Sequence, residues 1–209
     1  MKICVLMKQV PDKNSSLTIS ENNRGLEEHN ITWVSNESDN YALEEALLIK
    51  ETHGGEVIAC TLGGESAGQI LKDAMAKGAD RSIFLSDSKF DSLDILSLAK
   101  VFVSALKDES FDLILSGLQS DDQGNSQLGL LLAELLGMSH ASLVMGTEVI
   151  DDNTIKVKRE LEGGWFQWTT LSLPASISIQ SGINTPRYAT LKGIMMVKNK
   201  TTDQLSSQD

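Results

Sequence analysis

The stretch with the densest polar chemistry is FDLILSGLQSDDQGNSQLGLLLAELLG, from Phe111 to Gly137. An apolar run, read as a buried strand, opens into a loop of Gly, Ser, Asp, Asn and Gln, and a helix follows. Loops of this composition turn backbone N–H groups outward. A helix N-terminus adds partial positive charge and unpaired donors, and this combination suits a phosphate. Asn125, Ser126 and Gln127 are expected as first-turn donors, with Gly124 allowing close approach of the backbone. Asp121 and Asp122 repel phosphate but accept well from ribose hydroxyls or an adenine amino group. The composite fits a nucleotide with few phosphates. The plainer alternative is that Asp122 or Asn125 only caps a helix.

Other chemistries find little support. The first strand runs into KQVPDK without GxGxxG, and no GxxxxGK[ST] occurs, so neither common phosphate fingerprint is present. Cys4 and Cys60 sit in apolar strand-like runs without a CxxC partner, and read as buried free thiols. His29, His53 and His140 are scattered over expected loops and helix ends, which argues against a His-based triad or metal site. No catalytic acid, base or nucleophile stands out.

The elements that must position the loop alternate. KICVLM, EVIACTL, SIFL and FDLILS read as strands apolar on both faces. A helix capped by Ser38, Asp39 or Asn40 runs to about His53 and stops at Gly54-Gly55. A second places Ala67, Ile70, Leu71, Ala74 and Met75 on one stripe and ends at Gly78. A third, opened by Asp91 or Ser92, buries Ile95, Leu98, Ala99 and Phe102. The polar excursion from Ser16 to Ser35 reads as two short strands around Asn23, Arg24 and Gly25. The pattern predicts a mainly parallel sheet flanked by helices. After Gly137 it becomes strands joined by turns, TEVIDDNTIKVKREL, WFQWTTLSLP and ASISIQSG, and Trp165, Phe166 and Trp168 are assigned to a sheet face. TTDQLSSQD lacks apolar periodicity and is expected to fray. In a sheet of this kind ligands sit beyond the carboxyl ends of the strands. Three loops qualify: Asn36 to Asp39, Leu62 to Ser66 and Gly117 to Leu128.

Composition narrows the partners. The chain has 209 residues, 41% of them hydrophobic, enough for one generous domain or a domain with an arm. Its net charge of −11 makes most of the surface repel nucleic acid. No apolar run is long enough to span a bilayer, and the N-terminus reads as a strand rather than a signal peptide, so a cytoplasmic location is expected. Basic residues gather in PRYATLKGIMMVKNK, read either as a solvated tail or as a docking segment.

Several segments together resemble one family, the β subunit of electron transfer flavoprotein. KICVLMKQVPD is similar to its first strand and turn, and NESDNYALEEALLIKE to its Asn-Pro-Phe-Asp-Glu-Tyr-Ala-Leu-Glu-Glu-Ala stretch. AMAKGADRSIFL, KRELEGG and GINTPRYATLKGI match further family segments, the last being the most specific, and LILSGLQSDDQGNSQLG lies where the family has its nucleotide loop. The resemblance covers roughly Met1 to Lys198.

The resemblance implies an electron carrier of bacterial cytoplasm without catalytic residues or metal of its own. Its fold would be adenine nucleotide α-hydrolase-like, with additional C-terminal strands and an extended C-terminal segment. The implied division is a nucleotide-binding α/β domain over 1–183, and a recognition loop with tail over 184–209. The family works as a heterodimer with an α subunit that holds most of the FAD, takes electrons from flavin dehydrogenases, and keeps one structural AMP on the β subunit. Carried over, the AMP contacts are Leu6, Asn36, Glu37, Ser38, Asp39, Leu62, Gly117, Gln119, Asp122, Gln123, Gly124, Asn125, Ser126, Gln127 and Leu128. Leu6 and Leu62 would act through backbone or apolar contact. Leu191 is the implied anchor for the dehydrogenase, with Arg187 and Tyr188 in the same docking loop.

The sequence departs from the family pattern in four places. Glu37-Ser38 replaces Pro-Phe after Asn36, and Ser126 and Leu128 replace Asn and Thr. Gln127-Leu128-Gly129 is similar to the Gln-Val-Gly of bifurcating members, which bind a second FAD in place of AMP. The chain stops at Asp209, where many members continue into an arm on the partner, so weaker dimerisation is expected. A free-standing adenine-nucleotide sensor of the stress-protein type would share the sheet and loops but leaves NTPRYATLKGI unexplained. A related ligase or sulfur-transfer enzyme would need a Ser-Gly-Gly-x-Asp-Ser loop, which is absent.

Overall fold

The computed structural model describes residues 1–21, 25–90 and 93–209. Strand β1 (Lys2–Leu6) leads into a small ribbon, β2 (Gln9–Pro11) paired antiparallel with β3 (Trp33–Ser35). Then follow α1 (Glu37–His53), β4 (Glu56–Leu62), α2 (Gly68–Lys77), β5 (Arg81–Leu85), α3 (Ile95–Leu106), β6 (Leu113–Gly117) and α4 (Leu128–Leu136). The remainder is β7 (Ser139–Asp151), β8 (Thr154–Glu160), β9 (Phe166–Ser172), β10 (Ala175–Ile179), α5 (Leu191–Met196) and β11 (Thr202–Leu205).

One nine-stranded sheet, in the order β11-β5-β4-β1-β6-β10-β7-β8-β9, organises the chain. Its strands are parallel from β11 to β7, and β8 and β9 close it as antiparallel neighbours. The apolar runs of β1, β4 and β6 are buried because helices cover both faces. Ile3, Val5, Val57 and Ala59 pack under α1 and α2, while Cys4, Leu6, Ile58 and Cys60 pack under α3 and α4. Both cysteines are free and buried, and burial holds the Cys4 thiol well above its ordinary range.

Chain order reverses at β1. The chain steps outward through β4 and β5, then returns to β6 on the other side of β1. The carboxyl ends of β1 and β6 therefore diverge over a crevice, the topological switch point.

Several local expectations change. The N-cap of α1 is Asn36, and Ser38 and Asp39 lie inside its first turn, where their side chains are claimed by tertiary partners. Asp94 caps α3, accepting from the Ser97 amide at 2.9 Å; the expected openers Asp91 and Ser92 lie outside the described residues, as do Asn23 and Arg24 of the excursion. The described part of that excursion before β3 holds the isolated bridge Ile19–Leu26 and a 3-10 turn at Glu28–Asn30. β7 starts at Ser139, earlier than the turn pattern indicated, and His140 is a strand residue rather than a loop one. Its first part pairs with β10 and its second with β8, so no single period runs along it. The C-terminal stretch does not fray. Thr202–Leu205 adds to the β5 edge in parallel, with Asp203 bonded to Arg81 at 3.0 Å.

Candidate functional site

The crevice at the switch point is a cleft walled by three regions. Leu6, Met7 and Lys8 come from the end of β1, Ser116 to Ser120 from the end of β6, and Gln123 to Gly129, without Gly124, from the loop into α4. Leu62 closes one side, and Ile95, Leu98 and Phe102 of α3 add an apolar wall.

Asp39 holds the crevice open at a fixed width. Its Oδ2 accepts from the Lys8 amide at 2.7 Å and its Oδ1 from the Gly117 amide at 2.9 Å, so one carboxylate bridges the ends of β1 and β6. Side and main chain fit this closely only because position 117 has no Cβ, which would lie 2.1 Å from Ser38 Oγ and 2.4 Å from Asp39 Oδ1. Burial pushes the Asp39 carboxyl up to about 7, against the pull of the amide bonds from Lys8 and Gly117 and of Asn36.

Asn36 and Ser38 fasten the loop to α1. The Asn36 amide nitrogen donates to Gln119 O at 3.0 Å, its oxygen accepts from the Asp121 amide at 2.9 Å, and Ser38 Oγ donates to Gln119 O at 2.8 Å. The Glu37 amide donates to Asp121 at 3.2 Å. From the other side the Lys8 ammonium reaches Asp122 at 2.7 Å, Gln123 Oε1 at 3.2 Å and Ser120 Oγ at 3.4 Å. Ser126, held at φ +54°, donates its hydroxyl to Gln119 Oε1 at 2.9 Å. Gly124 takes φ +62° with nothing within 4 Å of a Cβ built there, so it serves the turn rather than a close approach within the chain.

The floor is equally tight. Gly129, at the start of α4, sits over Ser116, Ser176 and Ser178, and a Cβ there would lie 2.5 Å from Ser178 Oγ. Ser176 Oγ donates to Gly129 O at 2.9 Å. Asn125, Ser126 and Gln127 precede the helix instead of forming its first turn. Their N–H groups, with those of Leu128 and Gly129, meet no protein acceptor among the described residues. That is the donor array a small anion needs.

Of the sequence-predicted positions, Leu6, Asn36, Asp39, Leu62, Gly117, Gln119, Gln123, Asn125, Ser126, Gln127 and Leu128 line the one cleft. Glu37, Ser38, Asp122 and Gly124 stand behind it and shape it. Sequence reasoning missed Lys8 and the α3 wall. Ile95, Leu98 and Phe102 carried a signal, an apolar stripe, but were read as core; only tertiary placement turns one end of that stripe toward the cleft.

The residues expected to dock a partner lie elsewhere. Tyr188 and Leu191 are 92% and 75% exposed. Arg187 is turned inward, onto Glu44 at 2.8 Å and onto Glu51, which holds its guanidinium charged more firmly than usual.

The fold and cleft define an α/β protein that presents a small pocket, with backbone donors on one side and an apolar wall on the other, at the switch point of a mainly parallel sheet. Known proteins make this specific. A model of the electron transfer flavoprotein domain matches residues 24–209. The electron transfer flavoprotein subunit beta of Methylophilus methylotrophus is 34% identical over 212 residues, covering 100% of this chain and 80% of that protein. That of Bacillus subtilis is 35% identical over 210 residues, covering 100% and 80%. The mitochondrial one of Arabidopsis thaliana is 34% identical over 213 residues, covering 100% and 83%. The chain belongs to the electron transfer flavoprotein family, with β subunits as its relatives.

Proposed function

We propose that the chain is the β subunit of a heterodimeric electron transfer flavoprotein of the bacterial cytoplasm, and that its cleft holds one AMP in a structural role. One observation carries the nucleotide reading: unpaired amides before and at the start of α4 share a cleft with the apolar wall of Ile95, Leu98 and Phe102. The amides suit a phosphate and the wall a base. Asp39, Asn36 and Lys8 hold the loop and the ends of β1 and β6 in register by bonds within the chain.

FAD supplies the electron-carrying chemistry and is held mainly by the α subunit. Residues of this chain position and dock; none is assigned an acid, base or nucleophilic role. Electrons come from flavin dehydrogenases, for which Leu191, beside Tyr188 on the exposed side of segment 184–209, is the apolar anchor. Arg187 supports that segment from behind. Among the described residues no helix is long and apolar enough to cross a membrane, consistent with a carrier that docks and departs.

Mass spectrometry of nucleotides released from the complex, purified with its partner subunit, tests the assignment. One AMP and one FAD per heterodimer is the expected result. Two FAD and no AMP would place the protein in the bifurcating class. No nucleotide would leave the loop a mere connection.

A further inference from the structure

We infer that Glu45 and Asn184 are positioning residues for electron transfer: their contact fixes the direction in which the docking segment crosses α1, and with it the pose in which α5 offers Leu191. The inference rests on the docking reading of Leu191 and adds to it two residues that lie behind the docking surface.

Glu45 is a buried carboxylate, 8% exposed, that does not line the nucleotide cleft. Its neighbour Glu44 takes Arg187. Glu45 takes neutral donors, the Thr147 hydroxyl of β7 on Oε1 and the Asn184 amide nitrogen on Oε2, the latter at 2.9 Å. The same nitrogen donates to Tyr41 O at 3.1 Å. A carboxylate and a carbonyl both demand a donor, so the Asn184 amide has one allowed orientation. That orientation is kept although Asn184 Oδ1 lies buried without a partner among the described residues.

Between β10 and α5 the chain has no regular structure. Asn184 and Arg187 hold it to α1 at two points. One point lets an extended segment pivot, whereas two fix its direction. Helix α5 has six residues, too few to be stable alone, so its place is set by what holds the segment around it. Tyr188, Leu191, Ile194 and Met195 are thereby exposed on a segment that is ordered before a dehydrogenase arrives, and binding is spared the entropy of ordering it.

Asn184→Asp tests this, because it keeps the shape of the side chain and turns an oxygen toward the Glu45 carboxylate. The FAD-loaded heterodimer is reduced in stopped flow by the flavin dehydrogenase purified, through that activity, from the cells that make it. Asn184→Asp should raise the KM for the heterodimer about tenfold at an unchanged limiting rate, with nucleotide and FAD content intact. Hydrogen exchange of the amides from Tyr188 to Met196 needs no donor, and should speed about tenfold in the same variant. Glu45→Gln alone should behave as wild type, since the Thr147 hydroxyl can accept as well as donate. Combined with Asn184→Asp, it supplies a donor to the new carboxylate and should return the KM to within about threefold of wild type. Wild-type KM and exchange in Asn184→Asp, a fall in limiting rate or FAD content in place of the KM change, or no recovery in the double variant would each overturn the positioning role. With Leu191→Ala still slow, the docking reading would survive any of these. A Leu191→Ala heterodimer as fast as wild type would overturn both.

Discussion

Helix α1 holds two other segments by its carboxyl and amide side chains, in different ways at its two ends. At its N-terminus Asp39, Asn36 and Ser38 bond backbone groups of β1 and of the Gly117–Asp121 loop, deep in the fold. Further along, Glu44, Glu45 and Glu51 take side chains of the C-terminal segment: Arg187 on Glu44 and Glu51, and Asn184 on Glu45 at 2.9 Å. The first arrangement fixes main chain, so the cleft keeps its shape as built. The second fixes side chains and one backbone amide, that of Arg187, which donates to Glu44 at 3.0 Å, and leaves the rest of the segment outward, with Tyr188, Leu191, Ile194 and Met195 exposed. Clamped backbone suits a resident ligand, whereas a stapled arm with apolar side chains in water suits a partner that comes and goes.

The arm has its own floor. A Cβ on Gly193 would lie 2.1 Å from Ala76 O, so α5 rests against the end of α2. Lys200 donates to Met75 O, in the last turn of α2, at 2.8 Å and to Ala79 O, just beyond it, at 2.6 Å. Part of the basic cluster near the C-terminus is thus structural, with burial drawing the Lys200 pKa below its usual value.

The contrast can be broken most severely at the clamp. Gly117→Ala puts a methyl into Ser38 and Asp39 and should cost about 3 kcal/mol in urea unfolding, with loss of bound nucleotide. Asp39→Ala leaves the Lys8 and Gly117 amides buried without their acceptor and should cost about 2 to 3 kcal/mol. Arg187→Ala leaves Glu44, whose side chain is 7% exposed, without its cation; about 2 kcal/mol is expected, with nucleotide content unchanged. Leu191→Ala should change stability by less than about 0.5 kcal/mol, since the residue is 75% exposed, yet slow electron transfer from the dehydrogenase in stopped-flow assays. A drop in nucleotide content with Arg187→Ala would erase the distinction between the two ends.

Titration sharpens it. Asp39 is raised to about 7 from an ordinary 3.8, so the folded state keeps a proton that the unfolded chain releases across that window. Its contribution is fully present below pH 3.8 and is lost as pH rises through about 7. Urea midpoints of the wild type should therefore fall relative to Asp39→Asn between about pH 4.5 and 7.5. The Arg187–Glu51 pair should give no such difference in that range, because Arg187 holds the Glu51 carboxyl below its ordinary value.

Much of the scaffold was legible. Apolar runs on both strand faces announced β1, β4, β5 and β6, and Gly54 and Gly78 marked helix ends because they take φ +73° and +141°. The helical stripe of Ala67, Ile70, Leu71, Ala74 and Met75 is buried as its spacing required. β11 was not legible, since a polar four-residue strand has no pattern of its own and forms by pairing with β5. The loop from Gly117 to Leu128 was recognisable from composition, but Lys8 as its counter-charge was not, because 114 residues separate Lys8 from Asp122.

Residue types along the chain are enough to set the alternation of strands and helices and the positions of the loops, because apolar patterning and glycine conformation act locally. The chain also carries the family motifs. Folding in three dimensions settles which end of the α3 stripe lines the cleft, that Asp39 joins β1 to β6 while Glu44 and Glu51 hold Arg187, and that Lys8 is engaged by Asp122. Those outcomes depend on distances between residues far apart in the chain, which the switch of strand order at β1 sets.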